Sequence, residues 1–479
     1  MIIRFFILIS IFLSLNAKVL DDKSFKKIDN YVQNIQDKAN LPAVAIGIIQ
    51  DEKIVYKKSY SQNKNISIDS LFFIGSLTKS FTALAIMQLV EQGKIDLDSS
   101  VKKYLPWFEI KDKEHIKDLS IRTLLNQTSG FSTYEGLKNF DNFDSDKMVL
   151  ENTIRDLKNV SLQTKPTSNF AYSNINYQIL GLIIQKVSGI SYGEFLQKNI
   201  FDKLDMKNTY TSMDNVDLNS LTKGHFLWFG QAVKMQYPFN RAMLSAGYII
   251  SNIEDMGKYL IANLNGNENL LKKQNLKQLH TPSATIVKDK THYSFAWFVD
   301  TSKQEPYLNH MGSTPGYSAF MIIFPKRKLG LIVLINTTSY TLGSTQINNL
   351  AGGIIDIIDN KLPKESKIDL ISIGAYIFFL ALILLQLYLL NRSRKRLRNI
   401  TSYNSLVLPL VFDIFIVVLV YFIIPRVYDL TFSGFLIFAP DLAYIMMGSI
   451  VIAIYWGIVR TYFGIKIIKS LKGKNEKYK

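Results

Sequence analysis

The stretch FIGSLTKSFTALAIMQL, residues 73–89, contains a serine and a lysine at a spacing that suits nucleophilic catalysis. From Ser80 onward it is apolar nearly all the way round, which predicts a helix buried on every side. Ser76 and Lys79 are three residues apart and would share one helix face. The helix dipole and desolvation both disfavour an ammonium in this first turn, so the pKa of Lys79 falls and its neutral amine can take the Ser76 proton. The alternative is that Ser76 caps the helix while Lys79 reaches water.

A tyrosine and an asparagine open a second motif, FAYSNINYQILGLIIQKVSG at residues 170–189. Tyr172 and Asn174 are two residues apart and point the same way where the chain is extended. A phenol at this place can pass a proton to a leaving group, and the amide can hold a substrate carbonyl or orient the lysine. The alternative is that Asn174 is an ordinary turn residue.

A third motif, NHMGSTPGYSAF at residues 309–320, places His310 and Gly312 directly before a strand-like run. The glycine lets the backbone approach a ligand closely. The backbone N–H of Ser313 can then donate a hydrogen bond to an oxyanion. The alternative is that His310 is an ordinary surface imidazole.

Together, the motifs S-x-x-K, Y-x-N and H-x-G resemble those of the β-lactamase-related serine hydrolases in order and separation. This superfamily includes class C β-lactamases, D,D-peptidases, D-aminopeptidases and related esterases, and S-x-x-K is one of its typical motifs. The resemblance covers residues 27 to 359. Three further stretches match the family: LSIRTLLNQTSGF at 119–131, IFDKLDMKNTY at 200–210 and SAGYIISNIEDMGKYL at 245–260.

The resemblance implies a catalytic role for several of these residues. Ser76 would be the nucleophile, Lys79 its base and Tyr172 an acid–base partner. The backbone N–H groups of Ser76 and Ser313 would form the oxyanion hole, and Asn174 would contact the substrate amide. Members of this family act without a metal.

His310 is a departure from the family pattern. It stands where β-lactamases typically carry the lysine of K-T-G, whose charge helps to bind the antibiotic's carboxylate. Because a histidine is largely neutral at pH 7, we expect poor β-lactam hydrolysis and an amide or ester substrate. With Asn174, Gly312 and Ser313, His310 would form the substrate-binding part of the site.

Composition excludes several other kinds of protein. The chain has no cysteine, so disulfides, thiol catalysis and thiolate metal sites are excluded. Of its net charge of +17, residues 368–479 carry +8, and the rest is spread over 367 residues without a basic run interleaved with aromatics. This distribution argues against a nucleic-acid partner. The five histidines form no pair at i, i+3 or i, i+4, and we expect no metal or other cofactor.

The elements that must position these motifs are strands near both ends of one domain and helices between them, which predicts an α+β fold with an antiparallel sheet, flanking helices and a helical lobe. The predicted strands and terminal helices are a hairpin from AVAIGIIQ and KIVYKKSYS around Asp51 and Glu52, strands at Tyr293–Asp300, Gly316–Phe324 and Leu329–Thr337, and helices at Ser24–Ala39 and Ser344–Asp359.

The two ends of the chain are apolar in different ways. Residues 1–17 have the form of a secretory signal peptide, with an uncleaved N-terminal anchor as the alternative. Three runs near the C-terminus are each long enough to cross a bilayer as a helix. The predicted order is a signal peptide at 1–17, the hydrolase domain at 18–362, a linker at 363–369, transmembrane helices at 370–390, 406–424 and 442–459, and a basic tail at 460–479.

Charge predicts the orientation of these spans. The cluster RSRKRLR follows the first span and KIIKSLKGKNEKYK follows the third, so both would be cytoplasmic by the positive-inside rule. The hydrolase domain would then lie outside, which is also where a signal peptide would send it. Asp413, inside the second span, is either a functional group or a partner for an interhelical hydrogen bond or for the cluster at 392–398.

The sequence thus predicts a membrane-anchored, extracytoplasmic serine hydrolase that forms an acyl-enzyme from a cell-wall peptide, a D-amino-acid derivative or a related amide or ester. One alternative is a prodrug-activating D-amino-acid peptidase of a nonribosomal peptide pathway, since those enzymes are similar in having a signal peptide, a hydrolase domain and three spans. An alternative of another class is a catalytically inactive protein that binds or senses wall fragments. Protein partners are not predicted.

Overall fold

The main sheet is built from apolar runs at 43–61 and 284–335. The computed structural model describes residues 20–62, 66–302, 305–364, 369–397, 400 and 402–476. The strands in these residues are β1 Ala43–Gln50, β2 Lys53–Ser61, β3 Phe72–Phe73, β4 His225–Trp228, β5 Gln231–Lys234, β6 Ile250–Ser251, β7 Ala284–Val287, β8 Thr291–Ser294, β9 Trp297–Asp300, β10 Tyr307–Thr314, β11 Tyr317–Phe324, β12 Leu329–Ile335 and β13 Thr337–Thr338. Eight of them form an antiparallel sheet with the strand order β2-β1-β12-β11-β10-β9-β8-β7.

Strand pairing joins the two ends of this region, as predicted. β1 is buried on both faces and pairs with β12 from Val44 opposite Ile335 to Gln50 opposite Leu329. β2 closes the sheet as an edge strand whose side chains are mostly exposed or half-buried. The predicted α+β fold class, with an antiparallel sheet and flanking helices, is therefore confirmed.

Helices cover both faces of the sheet and form a lobe beside it. The helices are α1 Asp22–Lys38, α2 Thr78–Glu91, α3 Val101–Tyr104, α4 Ile121–Leu125, α5 Thr133–Leu137, α6 Val149–Arg155, α7 Asn174–Ser188, α8 Tyr192–Leu196, α9 Leu244–Gly247, α10 Ile253–Asn265, α11 Lys273–His280, α12 Ser344–Ile358, α13 Leu370–Leu397, α14 Asn404–Val418, α15 Ile424–Val427, α16 Phe432–Phe438 and α17 Pro440–Glu476. α1 and α12 pack on one face, and α10 packs on the other. The lobe has α2 and α7 at its centre, so two of the three sequence motifs lie in one core.

One predicted strand is wrong. The run at Tyr293–Asp300 is two strands, β8 and β9, because the chain reverses at Phe295 and Ala296. Both residues have positive φ, 40° and 72°, as a two-residue hairpin turn requires. The usual Asn-Gly signal for such a turn is absent, so the hydrophobic pattern reads as one continuous strand.

The segment at 225–243 is rich in aromatic residues. The structure shows a small hairpin of β4 and β5 that packs against the C-terminal helices. The ring of Trp228 lies 5.4 Å from that of Tyr444, and the ring of Phe229 lies 5.4 Å from that of Tyr376. The segment therefore joins the two parts of the chain.

In the part of the chain that the structure describes, three C-terminal helices are long and apolar enough to cross a membrane: Leu370–Ser393, Asn404–Val427 and Pro440–Leu471. The second includes α14, a π-helical segment and α15, and all three extend beyond the predicted spans. The predicted signal peptide lies outside the described residues, as do residues 365–368 of the predicted linker.

Asp413 forms an ion pair with Arg460 of α17, and both side chains are largely buried. Of the alternatives for Asp413, the structure thus shows an interhelical contact. The cationic partner comes from the third helix.

Candidate active site

Ser76 lies in a single 3₁₀ turn, Gly75–Leu77, that leads directly into α2. Its hydroxyl does not cap α2, whose first turn has no side-chain cap. Instead, the Ser76 Oγ accepts a hydrogen bond of 2.9 Å from the Lys79 Nζ. The capping alternative is therefore wrong, and the two side chains meet one turn apart as the spacing predicted.

Lys79 is fully buried, so it does not reach water. Besides Ser76, its Nζ donates to the Asn174 Oδ1 at 2.7 Å and to the Ala246 backbone carbonyl at 2.6 Å. No described acidic side chain forms an ion pair with it, and burial holds its pKa well below the usual lysine value. Its three acceptors are uncharged, and burial favours the neutral amine. That form has two N–H groups, so it can donate to Asn174 and Ala246 and accept the proton of the Ser76 hydroxyl.

Tyr172 lies above the same group, with the Lys79 Nζ 4.9 Å from the centre of its ring. Burial raises the pKa of Tyr172 well above its ordinary value, Tyr293 adds to that increase, and a hydrogen bond with Ser76 opposes it. The phenol is therefore protonated at neutral pH. Of the two candidate bases beside Ser76, only Lys79 has a pKa shifted toward the proton-accepting form.

Asn174 begins α7 and is almost fully buried. The preceding Ser173 is extended, with φ −136° and ψ 130°, which turns Tyr172 and Asn174 to one side as predicted. The Asn174 Oδ1 accepts from Lys79, and its Nδ2 donates to the Gly136 carbonyl at 3.2 Å. Both ends of the amide thus have protein partners, which favours a role in orienting Lys79.

His310 is 1% exposed, so the surface-imidazole alternative is wrong. Its Nδ1 lies 2.7 Å from the Met311 carbonyl, and its Nε2 lies 3.3 Å from the Tyr293 hydroxyl. Burial lowers the pKa of His310 to about 3, with the charge of Lys79 contributing and the hydrogen bond to Met311 opposing. The imidazole is neutral at pH 7 and presents no positive charge to a substrate carboxylate.

Two glycines bring β10 against the turn that carries Ser76. A Cβ on Gly75, whose φ is +55°, would lie 2.4 Å from the Ser313 nitrogen. A Cβ on Gly312 would lie 2.1 Å from the Ile74 carbonyl oxygen and 3.1 Å from the Ser76 nitrogen. The backbones of the first and third motifs therefore approach each other as only glycine permits, with both candidate oxyanion donors at the contact.

A cavity of about 650 Å³ brings the predicted site residues together. This volume is in the range of small-molecule sites. Lys79 does not line the cavity, but it is hydrogen-bonded to Ser76, which does. The residues that line the catalytic side are Ser76, Tyr172, Asn174, His310, Gly312 and Ser313.

Sequence reasoning missed two contributors. The Ala246 carbonyl accepts from Lys79, and Gln127 holds the second motif by accepting from the Ser173 backbone N–H at 2.9 Å. Both lie in stretches that resemble the family, so the family blocks at 119–131 and 245–260 were the available signal. Among the described residues, no group of three or more His, Asp or Glu side chains could hold a metal ion.

Comparison with known proteins places the chain in a family. The model of the family described as "Beta-lactamase" matches residues 28–349. Protein flp of Staphylococcus aureus strain MW2 is 29% identical over 328 residues, which are 67% of this chain and 64% of that protein, so the match spans less than two thirds of that relative.

Solved structures show the same fold. The octameric penicillin-binding protein homologue from Pyrococcus abyssi has a TM-score of 0.61 and 25% identity, covering 71% of this chain and 79% of that one. The D-amino acid amidase from Ochrobactrum anthropi SV3 has a TM-score of 0.57 and 22% identity, covering 70% of this chain and 99% of that one. The chain belongs to the beta-lactamase family, whose members are serine hydrolases.

Proposed function

We propose that this protein is a membrane-anchored, extracytoplasmic serine hydrolase that cleaves an amide or ester through an acyl-enzyme on Ser76. The observation that carries the proposal is the fully buried amine of Lys79, 2.9 Å from the Ser76 hydroxyl and bonded only to uncharged acceptors. A lysine without a catalytic role is not expected at this position, because burying its charge is unfavourable. The same burial lowers the pKa of Lys79, so its neutral amine becomes available as a base.

Acylation begins when the Ser76 hydroxyl gives its proton to the neutral Lys79 amine. The Ser76 Oγ bonds to the substrate's carbonyl carbon, and the negative charge passes to the carbonyl oxygen. The backbone N–H groups of Ser76 and Ser313 are the proposed donors to this oxyanion. Asn174 keeps the amine of Lys79 aligned during the transfer.

Collapse of the tetrahedral intermediate breaks the bond to the leaving amine or alcohol. Tyr172, a neutral phenol beside Ser76, passes a proton to that leaving group and is reprotonated from the Lys79 ammonium. Water then attacks the acyl-enzyme by the same route in reverse. The products are a carboxylic acid and free Ser76.

The neutral state of His310 supports an amide or ester substrate over a β-lactam. The position that β-lactamases fill with a charged lysine here holds a buried imidazole with a pKa of about 3. His310 therefore offers no positive charge with which a substrate carboxylate could form an ion pair. Cell-wall peptides and D-amino-acid derivatives remain the candidate substrates, and the prodrug-activating peptidase is a special case of the second.

The three apolar helices support anchoring. Their basic flanks support placement of the hydrolase domain outside the cytoplasm. Accessibility of single introduced cysteines in intact cells, one at 214 and one at 402, tests this orientation. We expect an impermeant maleimide to label the variant with a cysteine at 214 and not the variant with a cysteine at 402. The opposite result would contradict the proposed orientation.

Covalent labelling tests the activity. Membranes containing the protein or its Ser76→Ala variant are treated with a fluorophosphonate and, separately, with a fluorescent penicillin. We expect Ser76-dependent labelling by the fluorophosphonate and little by the penicillin. Strong penicillin labelling would contradict the assignment of His310, and no labelling of the folded protein by either probe would favour the inactive wall-fragment sensor.

A further inference from the structure

The candidate active-site cavity is shared between the hydrolase fold and the C-terminal helices. The cavity that contains the Ser76 side chain continues to the ends of α13, α16 and α17 nearest the sheet. The apolar wall, as we call it, consists of Ala375, Leu430, Phe435, Phe438, Ala439 and Leu442.

A buried carboxylate fixes the apolar wall to the hydrolase fold. Asp441, at the start of α17, is 0% exposed and accepts from the Phe229 backbone N–H at 3.0 Å and the Thr341 hydroxyl at 3.3 Å. It also accepts from the hydroxyl of Tyr376 on α13. One side chain therefore joins two of the C-terminal helices to two segments of the hydrolase fold.

A second contact joins the wall to the segment after β13. The Tyr340 backbone N–H donates to the Phe438 carbonyl at 3.1 Å, and the two rings stack with centroids 4.7 Å apart. The ring of Phe140, from the lobe, meets Phe438 at 5.1 Å. Because Phe438 belongs to the apolar wall, these contacts hold the wall against the hydrolase fold.

The rim of the cavity on this side carries exposed apolar side chains beside the carboxylate of Asp429. Ile371, in the first turn of α13, is 76% exposed, and Tyr428, just after α15, is 53% exposed. Both residues lie at the ends of helices that are long enough to cross a bilayer. The catalytic serine and the surface that lipid would cover therefore border one cavity.

Resting on the proposed function, we propose that the substrate is an amphiphile whose long alkyl or acyl chain lies against the apolar wall while its amide or ester meets Ser76. Burial of the chain's methylene groups supplies binding energy along the wall. A substrate held in the bilayer reaches the serine at the membrane surface. The C-terminal helices are thus part of the substrate site as well as an anchor.

Two fluorophosphonates that differ only in an ethyl or a dodecyl chain test this inference without knowledge of the natural substrate. In each, the Ser76 oxygen bonds to phosphorus, while fluoride and the hydroxyl proton leave. Second-order labelling rates are measured on the full chain in lipid nanodiscs. The Ala375→Trp variant fills the cavity from α13, Ala439→Trp fills it from the other side, and Ile377→Trp, at a position 63% exposed, is the matched control.

We expect the dodecyl probe to label the native chain about tenfold faster or more than the ethyl probe, because its methylenes are buried. Either cavity-filling variant should remove this preference by slowing the dodecyl probe alone, and Ile377→Trp should retain it. Simple partitioning into the bilayer would leave the preference unchanged in all variants and would overturn the inference, as would equal rates in the native chain. Ser76-dependent ethyl labelling would then still support the proposed function. Absence of labelling by both probes would contradict both the proposed function and this inference.

Discussion

At the scale of the residue, Lys79 is fully buried beside Ser76, and the proposed mechanism uses its amine as the base. Lys79 must lose its proton to act as a base, and burial lowers its pKa, so activity is present above that lowered pKa and is lost as pH falls through it. We expect the fluorophosphonate labelling rate to follow this one-sided profile. Lys79→Arg should abolish labelling at every pH because a guanidinium stays charged. Retention of labelling by a folded Lys79→Arg protein would contradict the assignment.

Two histidines, His310 in the core and the partly exposed His280, predict a dependence of stability on pH. The pKa is lowered to about 3 for His310 and to about 4 for His280, mainly by burial. The unfolded chain binds protons at these residues below a pH of about 6.5, whereas the folded chain does not. Stability should therefore fall as the pH drops from about 6.5 toward 4. Denaturant titrations at several pH values measure this slope, which His280→Gln should reduce.

At the scale of the element, the meeting of β10 with the turn before α2 depends on glycine. Gly75→Ala should reduce the labelling rate about 100-fold or more, because the new Cβ would displace the Ser313 N–H from the candidate oxyanion hole. Gly93→Ala is the matched control, since φ is +70° there but nothing lies within 4 Å of a Cβ. It should cost about 1–2 kcal/mol of stability and leave labelling intact. Equal labelling by both variants would show that the close approach has no catalytic role.

Prediction of elements from the sequence succeeded where the signal was local. The apolar run after Ser80 is a fully buried helix, and the hairpin of β1 and β2 turns at Asp51 and Glu52. It failed at Phe295, where two residues with positive φ reverse the chain without a typical turn sequence. Tertiary packing there overrides the local preference for a continuous strand, and the hydrophobic periodicity of the sequence gives no sign of the turn.

At the scale of the whole molecule, Asp441 is the residue on which docking of the two parts depends. Asp441→Asn places an amide N–H₂ among donors from three segments, so we expect a loss of about 1–3 kcal/mol in the free energy of unfolding. The dodecyl labelling rate should fall more than the ethyl rate, because the apolar wall loosens. Asp289→Asn, at an exposed position that does not line the cavity, is the control and should change neither quantity. Thermal unfolding in nanodiscs and the two labelling rates measure these effects.

The sequence by itself determined the motifs, their order, the family and the three apolar runs. These follow from short spacings and local hydrophobic patterns, and residues such as Ser76 and Lys79 meet because one helical turn separates them. Only the tertiary structure decided that Asn174 and the Ala246 carbonyl both accept hydrogen bonds from the Lys79 amine, and that the apolar wall lines one side of the cavity. Those contacts join segments far apart in the chain. They depend on how the sheet, the lobe and the C-terminal helices pack, which no local pattern specifies.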